Sequence, residues 1–252
     1  MQLRKQTQGL LLATGNGVRV AVLDSGVNPR FPTLNGNVGK VFDCIEGDTL
    51  IVNPLSPEIN TDRNGHGSFV QSCIHVVAPE ATIDHFRILD ADNNCDSSLL
   101  CYVLDYVIDQ GYQVINLSLG TRNEEHIPWL VSIMKRAYEK NICVVAACSN
   151  VGNSLYPARF TYCISVDAMI AQHPLQLRFK ASSVVEFSGW GVNVPVPGPT
   201  NKPVYLTGSS YAAGHVSGLC ARAIEIQDSP SPLDTKILLR EYARGFEANL
   251  AS

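Results

Sequence analysis

The chain has 252 residues, which is long enough for a single domain to bury a sizeable core. Lys and Arg total 19 against 23 Asp and Glu, so the net charge is −4, and the lack of a basic block argues against nucleic-acid binding. Hydrophobic residues make up 45% and charged residues 17%, a composition that excludes a largely disordered protein.

Several function classes are excluded by what the sequence lacks. No apolar run approaches the roughly 18 residues of a membrane span, so we predict no membrane partner. The apolar run at 10–13 is too short for a secretory signal, which predicts a cytoplasmic location. No cofactor or metal motif is found, and the eight cysteines form no Cys-x-x-Cys pair. Free thiols are favoured over disulfides, which the even count leaves open, at the following positions: Cys44, Cys73, Cys95, Cys101, Cys143, Cys148, Cys163 and Cys220.

Three short apolar runs end in polar or glycine-rich residues, as buried parallel strands do. They are 18–23, followed by Asp24-Ser25-Gly26; 114–119, ending in Ser118-Leu119-Gly120; and 142–147, followed by Cys148-Ser149-Asn150. Functional side chains of α/β sheets lie at the carboxyl ends of the strands. We therefore expect functional residues at these three points.

Helical patterns alternate with these strands. Apolar residues recur at helical spacing over 99–108, before Gly111, and over 127–138, and further helices are expected over 212–226 and 233–243. The alternation predicts an α/β fold with a mostly parallel central sheet and helices on both faces, in one domain spanning 1–252. The proline-rich segment 193–203 is predicted to be a surface loop.

An aspartate, a histidine and a serine each lie in a glycine-flanked turn, in the order Asp24, His66, Ser210. A serine hydroxyl becomes nucleophilic when an imidazole accepts its proton, and a carboxylate orients that imidazole. Taken singly, each residue is better explained as a turn or cap residue. Their joint occurrence, with Asn150, favours catalysis.

The segments around these residues, and two segments between them, resemble those of the subtilisin-like serine proteases, the subtilases. The resemblance extends over about 18–226 and rests on Val20-Ala21-Val22-Leu23-Asp24-Ser25-Gly26-Val27, Asn64-Gly65-His66-Gly67-Ser68-Phe69-Val70, Asn116-Leu117-Ser118-Leu119-Gly120, Ala146-Ala147-Cys148-Ser149-Asn150 and Gly208-Ser209-Ser210-Tyr211-Ala212-Ala213-Gly214-His215-Val216. It implies a subtilisin-like three-layer fold and a serine endopeptidase acting on peptide or protein substrates.

The resemblance also implies roles for individual residues. Ser210 would be the nucleophile, His66 the general base and then acid, and Asp24 its orienting carboxylate. Asn150 would donate a side-chain hydrogen bond to the oxyanion. Ser118, Leu119 and Gly120 would pair with an extended peptide, and Ala147 and Ser149 would line the pocket for the residue before the cleaved bond.

Some positions depart from the family pattern. Ser149 replaces a glycine and Leu155 stands where a small residue is common, so we predict a shallow pocket that prefers small or medium side chains to Phe or Tyr. Gly214 replaces a proline, a change that concerns helix geometry more than chemistry. The compact segment 70–79 lacks the family's calcium-binding loop, which predicts no strong calcium site there. The leader before Val18 is too small for a pro-domain, so we expect a trimmed mature form or a type that folds without one.

Other functions stay open at this point. The size suggests a dedicated processing protease for a precursor peptide. The same triad could serve a peptide ligase or macrocyclase, in which an amine displaces the acyl-enzyme, and an inactive subtilase-like scaffold would bind peptides without cleaving them. A nucleotide-binding protein is disfavoured because neither Gly-x-Gly-x-x-Gly nor a Walker lysine motif follows a strand. The oligomeric state is not predicted.

Overall fold

The computed structural model describes residues 2–34, 36–149, 155–197 and 203–250. Its main feature is a sheet of nine strands in the order β3-β2-β4-β1-β5-β6-β7-β9-β8. The strands are β1 (Arg19–Asp24), β2 (Val41–Glu46), β3 (Leu50–Leu55), β4 (Thr82–Arg87), β5 (Val114–Leu117), β6 (Cys143–Ala147), β7 (Ile164–Ile170), β8 (Leu177–Phe179) and β9 (Phe187–Val192). The strands from β2 to β9 in this order pair in parallel, while β3 and β8 are antiparallel at the two edges.

Helices cover both faces of this sheet. They are α1 (Gln2–Leu12), α2 (His66–Val77), α3 (Ser97–Val107), α4 (Ile127–Glu139), α5 (Ser209–Glu225) and α6 (Pro232–Leu250). Alternating residues of β1 enter two separate cores, because successive side chains of a strand point to opposite faces. Val20 and Val22 pack in the core formed with α2 and α5, and Ala21 and Leu23 in the core formed with α3 and α4. The expected three-layer α/β fold is confirmed.

The predicted strands β1, β5 and β6 and the helices α3, α4 and α5 are confirmed, with ends that differ by a few residues. The prediction that 193–203 is a loop is wrong in part. Val194–Pro197 forms β10, which pairs with β11 (Pro203–Leu206) in an antiparallel ribbon. Val194 and Val196 are buried against Cys73, whereas the prolines alternate with them on a strand with a single paired edge, where a missing N–H is tolerated.

The helices α2 and α5 pack closely against each other between the sheet and solvent. Gly218 of α5 allows this approach, because a Cβ there would lie 2.6 Å from Cβ of Val77 and 3.0 Å from the carbonyl oxygen of Ile74. Distances below 3 Å are not tolerated between such atoms, so a larger residue would separate the helices. The spacing of α2 and α5 matters because the first residue of α2 and the second of α5 are His66 and Ser210.

The carboxyl end of α5 anchors the segment that follows α1. One carboxylate oxygen of Glu225 accepts hydrogen bonds from the backbone N–H groups of Thr14, Gly15 and Asn16, at 2.8, 2.6 and 3.1 Å. Arg222 donates to the carbonyl oxygens of Leu10 and Leu11, both at 3.1 Å. Two charged side chains on α5 thus hold residues 10–16 against the body of the protein.

The cysteines of the chain are all free, and all of them belong to the described residues. Six are buried, whereas Cys95 and Cys148 have intermediate exposure. In the part of the chain that the structure describes, no helix combines the length and apolarity needed to cross a membrane.

Candidate active site

Asp24 and His66 form a hydrogen-bonded pair at the carboxyl edge of the sheet. Asp24 is the fully buried last residue of β1, and His66 begins α2. Nδ1 of His66 lies 2.7 Å from Oδ1 of Asp24, and this oxygen also accepts the N–H of Ser25 at 2.7 Å. An ionised carboxylate only accepts hydrogen bonds, so Nδ1 carries the proton and Nε2 is the acceptor of the neutral ring. This arrangement orients an imidazole as a general base.

Gly67 allows the start of α2 to approach the turn after β1. A Cβ at this position would overlap the carbonyl oxygen of Gly26 and lie 3.3 Å from Oδ1 of Asp24. Neither the backbone oxygen of Gly26 nor the buried carboxylate of Asp24 is the end of a flexible side chain, so neither can move aside for a Cβ. The glycine beside His66 therefore permits the short distance between the imidazole and Asp24.

Asp62 is a site residue that the sequence reasoning missed. Its Oδ1 accepts hydrogen bonds from Oγ of Ser25 at 2.6 Å and from the N–H of Gly65 at 2.8 Å. Its Oδ2 accepts a hydrogen bond from the N–H of Ser68 at 2.9 Å. Ser25 lies next to Asp24, and Gly65 and Ser68 flank His66. The carboxylate of Asp62 thus joins the backbone around both members of the pair. Asp62 lies three residues before Gly65, the N-cap residue of α2, so no local capping motif signals its role.

The electrostatic environment favours the protonated form of His66. Burial alone would lower the pKa of His66, but the charge and hydrogen bond of Asp24, together with the charge of Asp62, outweigh burial and raise it above its ordinary value of 6.5. A base whose imidazolium is stabilised in this way can hold a proton taken from a nucleophile.

Ser210 lies in the first turn of α5 and is 8% exposed. Its Oγ donates to the carbonyl oxygen of Ser118 at 3.2 Å, and Oγ of Ser118 donates to the carbonyl oxygen of Ser210 at 3.3 Å. The structure thus brings Ser210 and Ser118 together. Among the described hydrogen bonds, none joins Ser210 to His66. Catalytic hydrogen bonds are often loose in a free enzyme and tighten when substrate is bound.

Tyr211 follows Ser210 and lies beside the imidazole. Its ring centroid is 5.8 Å from that of His66, with the two planes tilted by 47°. Burial raises the pKa of Tyr211 to about 12, so its phenol is neutral at physiological pH. Sequence reasoning assigned no role to Tyr211, because the direction of its side chain depends on the packing of α5 against α2.

The amino terminus of α5 offers backbone donors to an oxyanion. The first N–H groups of a helix have no partner within the helix, and they lie at its positive end. Oγ of Ser209 donates to the carbonyl oxygen of Cys148 at 2.5 Å, which joins this terminus to the residue after β6. Asn150, the predicted side-chain donor, lies outside the described residues.

The predicted substrate-binding residues Ser118, Leu119 and Gly120 follow β5 and are all partly exposed. Directly after them, Thr121 and Tyr156 form an antiparallel bridge with N–O distances of 2.8 and 3.0 Å. The bridge holds one end of this segment. Part of the side chain of Leu119 packs against the core beneath α3 and α4.

The predicted pocket residues have different surroundings. Ala147 is 3% exposed and packs in the core shared with α5. Ser149 is partly exposed, and its Oγ accepts a hydrogen bond from Nη2 of Arg122 at 3.1 Å. Arg122 follows the substrate segment, and Ser149 follows β6. This hydrogen bond therefore connects the two segments expected to enclose the pocket, while Leu155 directly precedes the Thr121–Tyr156 bridge.

The described residues include no group of three or more His, Cys, Asp or Glu side chains that could hold a metal ion. The helix α2 continues without interruption from His66 to Val77. The groups described above are an imidazole, carboxylates, hydroxyls and backbone amides.

Comparisons with known proteins agree with this chemistry. The family model described as the subtilase family, Peptidase_S8, matches residues 15–251. The minor extracellular protease Epr of Bacillus subtilis (strain 168) is 28% identical over 243 residues, which cover 92% of this chain and 35% of Epr. The major intracellular serine protease of the same organism is 28% identical over 226 residues, covering 82% of this chain and 68% of that protein. The chain thus spans about a third to two thirds of these relatives.

Solved structures with the same fold are also found. The structure of sphericase superposes with a TM-score of 0.73 and 26% sequence identity, covering 90% of this chain and 83% of the sphericase chain.

Proposed function

The chain belongs to the subtilase family, and we propose that it is a serine endopeptidase that uses Asp24, His66 and Ser210. The observation that carries this proposal is the 2.7 Å hydrogen bond between His66 and the buried Asp24, beside the helix that starts at Ser209. It supplies an oriented base whose ring lies 5.8 Å from that of Tyr211, the residue after Ser210. An oriented base is what activates a serine hydroxyl.

In the proposed acylation step, the hydroxyl of Ser210 exchanges its hydrogen bond to the Ser118 carbonyl for one to Nε2 of His66. His66 takes the proton as Oγ attacks the peptide carbonyl carbon, and the tetrahedral intermediate forms. The backbone N–H of Ser210 and the side chain of Asn150 donate to the oxyanion. His66 then gives the proton to the leaving amine, and the acyl-enzyme remains.

Deacylation repeats these roles with water as the nucleophile. His66 accepts a proton from water, and the resulting intermediate collapses to release the carboxylate product and restore the Ser210 hydroxyl. Asp24 and Asp62 both stabilise the imidazolium that forms in each half of the reaction. The raised pKa of His66 supports this assignment.

The substrate is proposed to bind as an extended strand along Ser118, Leu119 and Gly120. Parallel strands end beside these residues, and their partial exposure leaves backbone groups accessible to a peptide. The residue before the cleaved bond would then enter the pocket between this segment and Ser149.

We expect that pocket to favour small or medium side chains. The hydrogen bond from Arg122 holds the hydroxyl of Ser149 between the two segments, and the side chain of Leu155 adds further bulk nearby. Matched peptides with Ala, Leu or Phe before the cleaved bond should give the lowest kcat/KM for Phe. Ser149→Gly should raise the relative value for Phe, whereas Ser183→Gly, at an exposed position between β8 and β9, serves as the control. A wild-type preference for Phe would contradict the expectation.

The catalytic assignment is tested by labelling with a serine-directed fluorophosphonate and measuring intact mass. The wild-type chain should gain one adduct, Ser210→Ala none, and His66→Ala should react much more slowly because its serine lacks a base. Ser209→Ala, which changes the neighbouring hydroxyl, should still be labelled. An unlabelled, folded wild type would favour the inactive scaffold, and products of amine capture in a peptide assay would favour a ligase.

We also propose a cytoplasmic location. Eight free cysteines are typical of a compartment that keeps thiols reduced. Fractionation of cells that express the tagged chain tests this. Recovery in the soluble cell extract is expected, and recovery from the medium would contradict it.

A further inference from the structure

A cavity of about 210 Å³ lies between α2 and the β10–β11 ribbon. Val76 of α2 lines this cavity and is 56% exposed, and Val194 and Val196 of β10 contribute buried apolar surface. The floor includes Trp190 of β9 and His215 of α5. None of the residues assigned to catalysis or to the substrate segment lines this cavity, so the proposed protease mechanism does not account for it.

His215 is the unusual member of the lining because it is a polar side chain with only 2% exposure. Its Nδ1 lies 2.9 Å from the carbonyl oxygen of Trp190, and its ring stacks on the indole at 5.8 Å with an angle of 13°. A carbonyl only accepts, so Nδ1 carries the proton and Nε2 is a hydrogen-bond acceptor. Burial lowers the pKa of His215 to about 4, which keeps the ring neutral at physiological pH.

Nε2 of His215 has no hydrogen-bond partner among the described residues. Nδ1 is occupied by the backbone, so Nε2 is the ring nitrogen left for the cavity that His215 lines. The other side-chain oxygens of the lining, those of Thr33 and Ser72, are hydrogen-bonded to each other. Burial raises the pKa of the Cys73 thiol, so it is not a nucleophile. Among the described side chains that line the cavity, His215 therefore offers a ring nitrogen without a protein partner, in mainly apolar surroundings.

We propose that this cavity binds a small, neutral, mostly apolar molecule that donates one hydrogen bond to Nε2 of His215, as a phenol does. An apolar cavity of about 150 Å³ accommodates benzene, so the larger volume here suits a single aromatic ring with a polar substituent. A hydroxyl of the bound molecule would take the place of water at Nε2, and a hydrogen bond made in this exchange gives a modest net gain in affinity.

The position of the cavity gives such a molecule contact with two important helices. It would lie against α2, which begins at His66, and against α5, whose first turn holds Ser210. The site is nevertheless distinct from the catalytic residues, so binding does not depend on whether the proposed protease activity is correct.

The location of the binding site is tested by calorimetric titration at neutral pH. The ligands are phenol and toluene, a matched molecule without a hydrogen-bond donor. Val76→Trp places a large side chain at the exposed edge of the cavity and should weaken phenol binding at least tenfold. Val131→Trp changes a valine on α4 that is 38% exposed and should leave binding unchanged. Absence of saturable phenol binding to the wild type, or equal affinity in Val76→Trp, would overturn the proposal.

Nitrogen NMR of the wild-type chain tests the hydrogen bond itself. Phenol should move the Nε2 resonance of His215 upfield, as expected for an acceptor that gains a donor, and toluene should not. In His215→Leu, the ratio of phenol affinity to toluene affinity should fall roughly five- to tenfold, the value of one net hydrogen bond. The wild-type spectrum decides the question if this variant does not fold. An unmoved Nε2 resonance in the presence of bound phenol would contradict the assigned contact.

Discussion

At the scale of single residues, His66 determines how activity should depend on pH. A general base must be neutral to accept a proton, so kcat/KM should fall as the pH drops through the pKa of His66. Asp24 and Asp62 raise that pKa above 6.5. The half-maximal point of the acid limb is therefore expected above pH 6.5, measured with a peptide substrate of constant charge. A midpoint below pH 6.5 would show that Asp24 and Asp62 do not raise the pKa of His66.

Asp62→Asn should change both the position of the His66 imidazole and its pKa. The amide cannot accept all the hydrogen bonds that link Ser25, Gly65 and Ser68. We expect kcat/KM to fall between about tenfold and a hundredfold through misplacement. Loss of the negative charge lowers the pKa of His66, so the acid limb should move to lower pH. Kinetics across a pH series measure both effects.

Asp48→Asn is the matched control, because Asp48 is exposed in the turn between β2 and β3. Asp48→Asn should change neither kcat/KM nor the midpoint of the acid limb. A purely structural role of Asp62 would lower the rate without moving the limb, and this outcome would contradict its electrostatic role.

The sequence identified Asp24 and His66 because each lies in a short motif whose glycines permit a close turn. The structure joins the two side chains by a hydrogen bond, and their catalytic roles stay predictions. Asp62 was missed because it lies in a segment without periodicity, and its role depends on where two separate turns meet. The roles predicted for Ser210 and Asn150 and for the substrate-binding and pocket residues likewise stay predictions.

At the scale of elements, the packing of α2 against α5 sets the relation between the histidine and serine segments. Gly218→Ala would place a Cβ 2.6 Å from that of Val77, so overpacking should cost about 1–3 kcal/mol of the free energy of unfolding. Chemical denaturation measures this loss. Gly245→Ala, in α6 where a Cβ meets no atom within 4 Å, should instead stabilise by about 0.5–1 kcal/mol. Equal effects of the two changes would refute the close-packing argument.

The strands predicted from sequence were those with continuous apolar runs, such as β1 and β6, which are buried on both faces. β10 was missed because its prolines, Pro195 and Pro197, favour loops locally. Burial of the alternating valines outweighs this preference, and only the tertiary structure reveals the partner that buries them. The edge strand β3 was missed for a related reason, since Asn53 and Pro54 interrupt its apolar run and favour a turn locally.

At the scale of the whole molecule, Glu225 connects the first and last thirds of the chain. Glu225→Ala removes an acceptor from three backbone N–H groups and should lower the free energy of unfolding by about 2 kcal/mol. Glu225→Gln keeps one carbonyl acceptor but loses the charge, so it should cost less. Thermal unfolding of both variants beside the wild type provides the measurement. A loss no greater in the alanine variant than in the glutamine variant would rule out this anchoring role.

The uneven solvent access of the eight thiols has a practical consequence for spectroscopy. Cys95 and Cys148 are the two that a reagent can reach, and burial raises their pKa values to about 12 and about 11. Dye coupling should therefore be slow at neutral pH and confined to two positions. In a Cys95→Ser background, an environment-sensitive fluorophore on Cys148 would stand next to Ser149. Its emission would then follow the arrival and departure of peptides in real time.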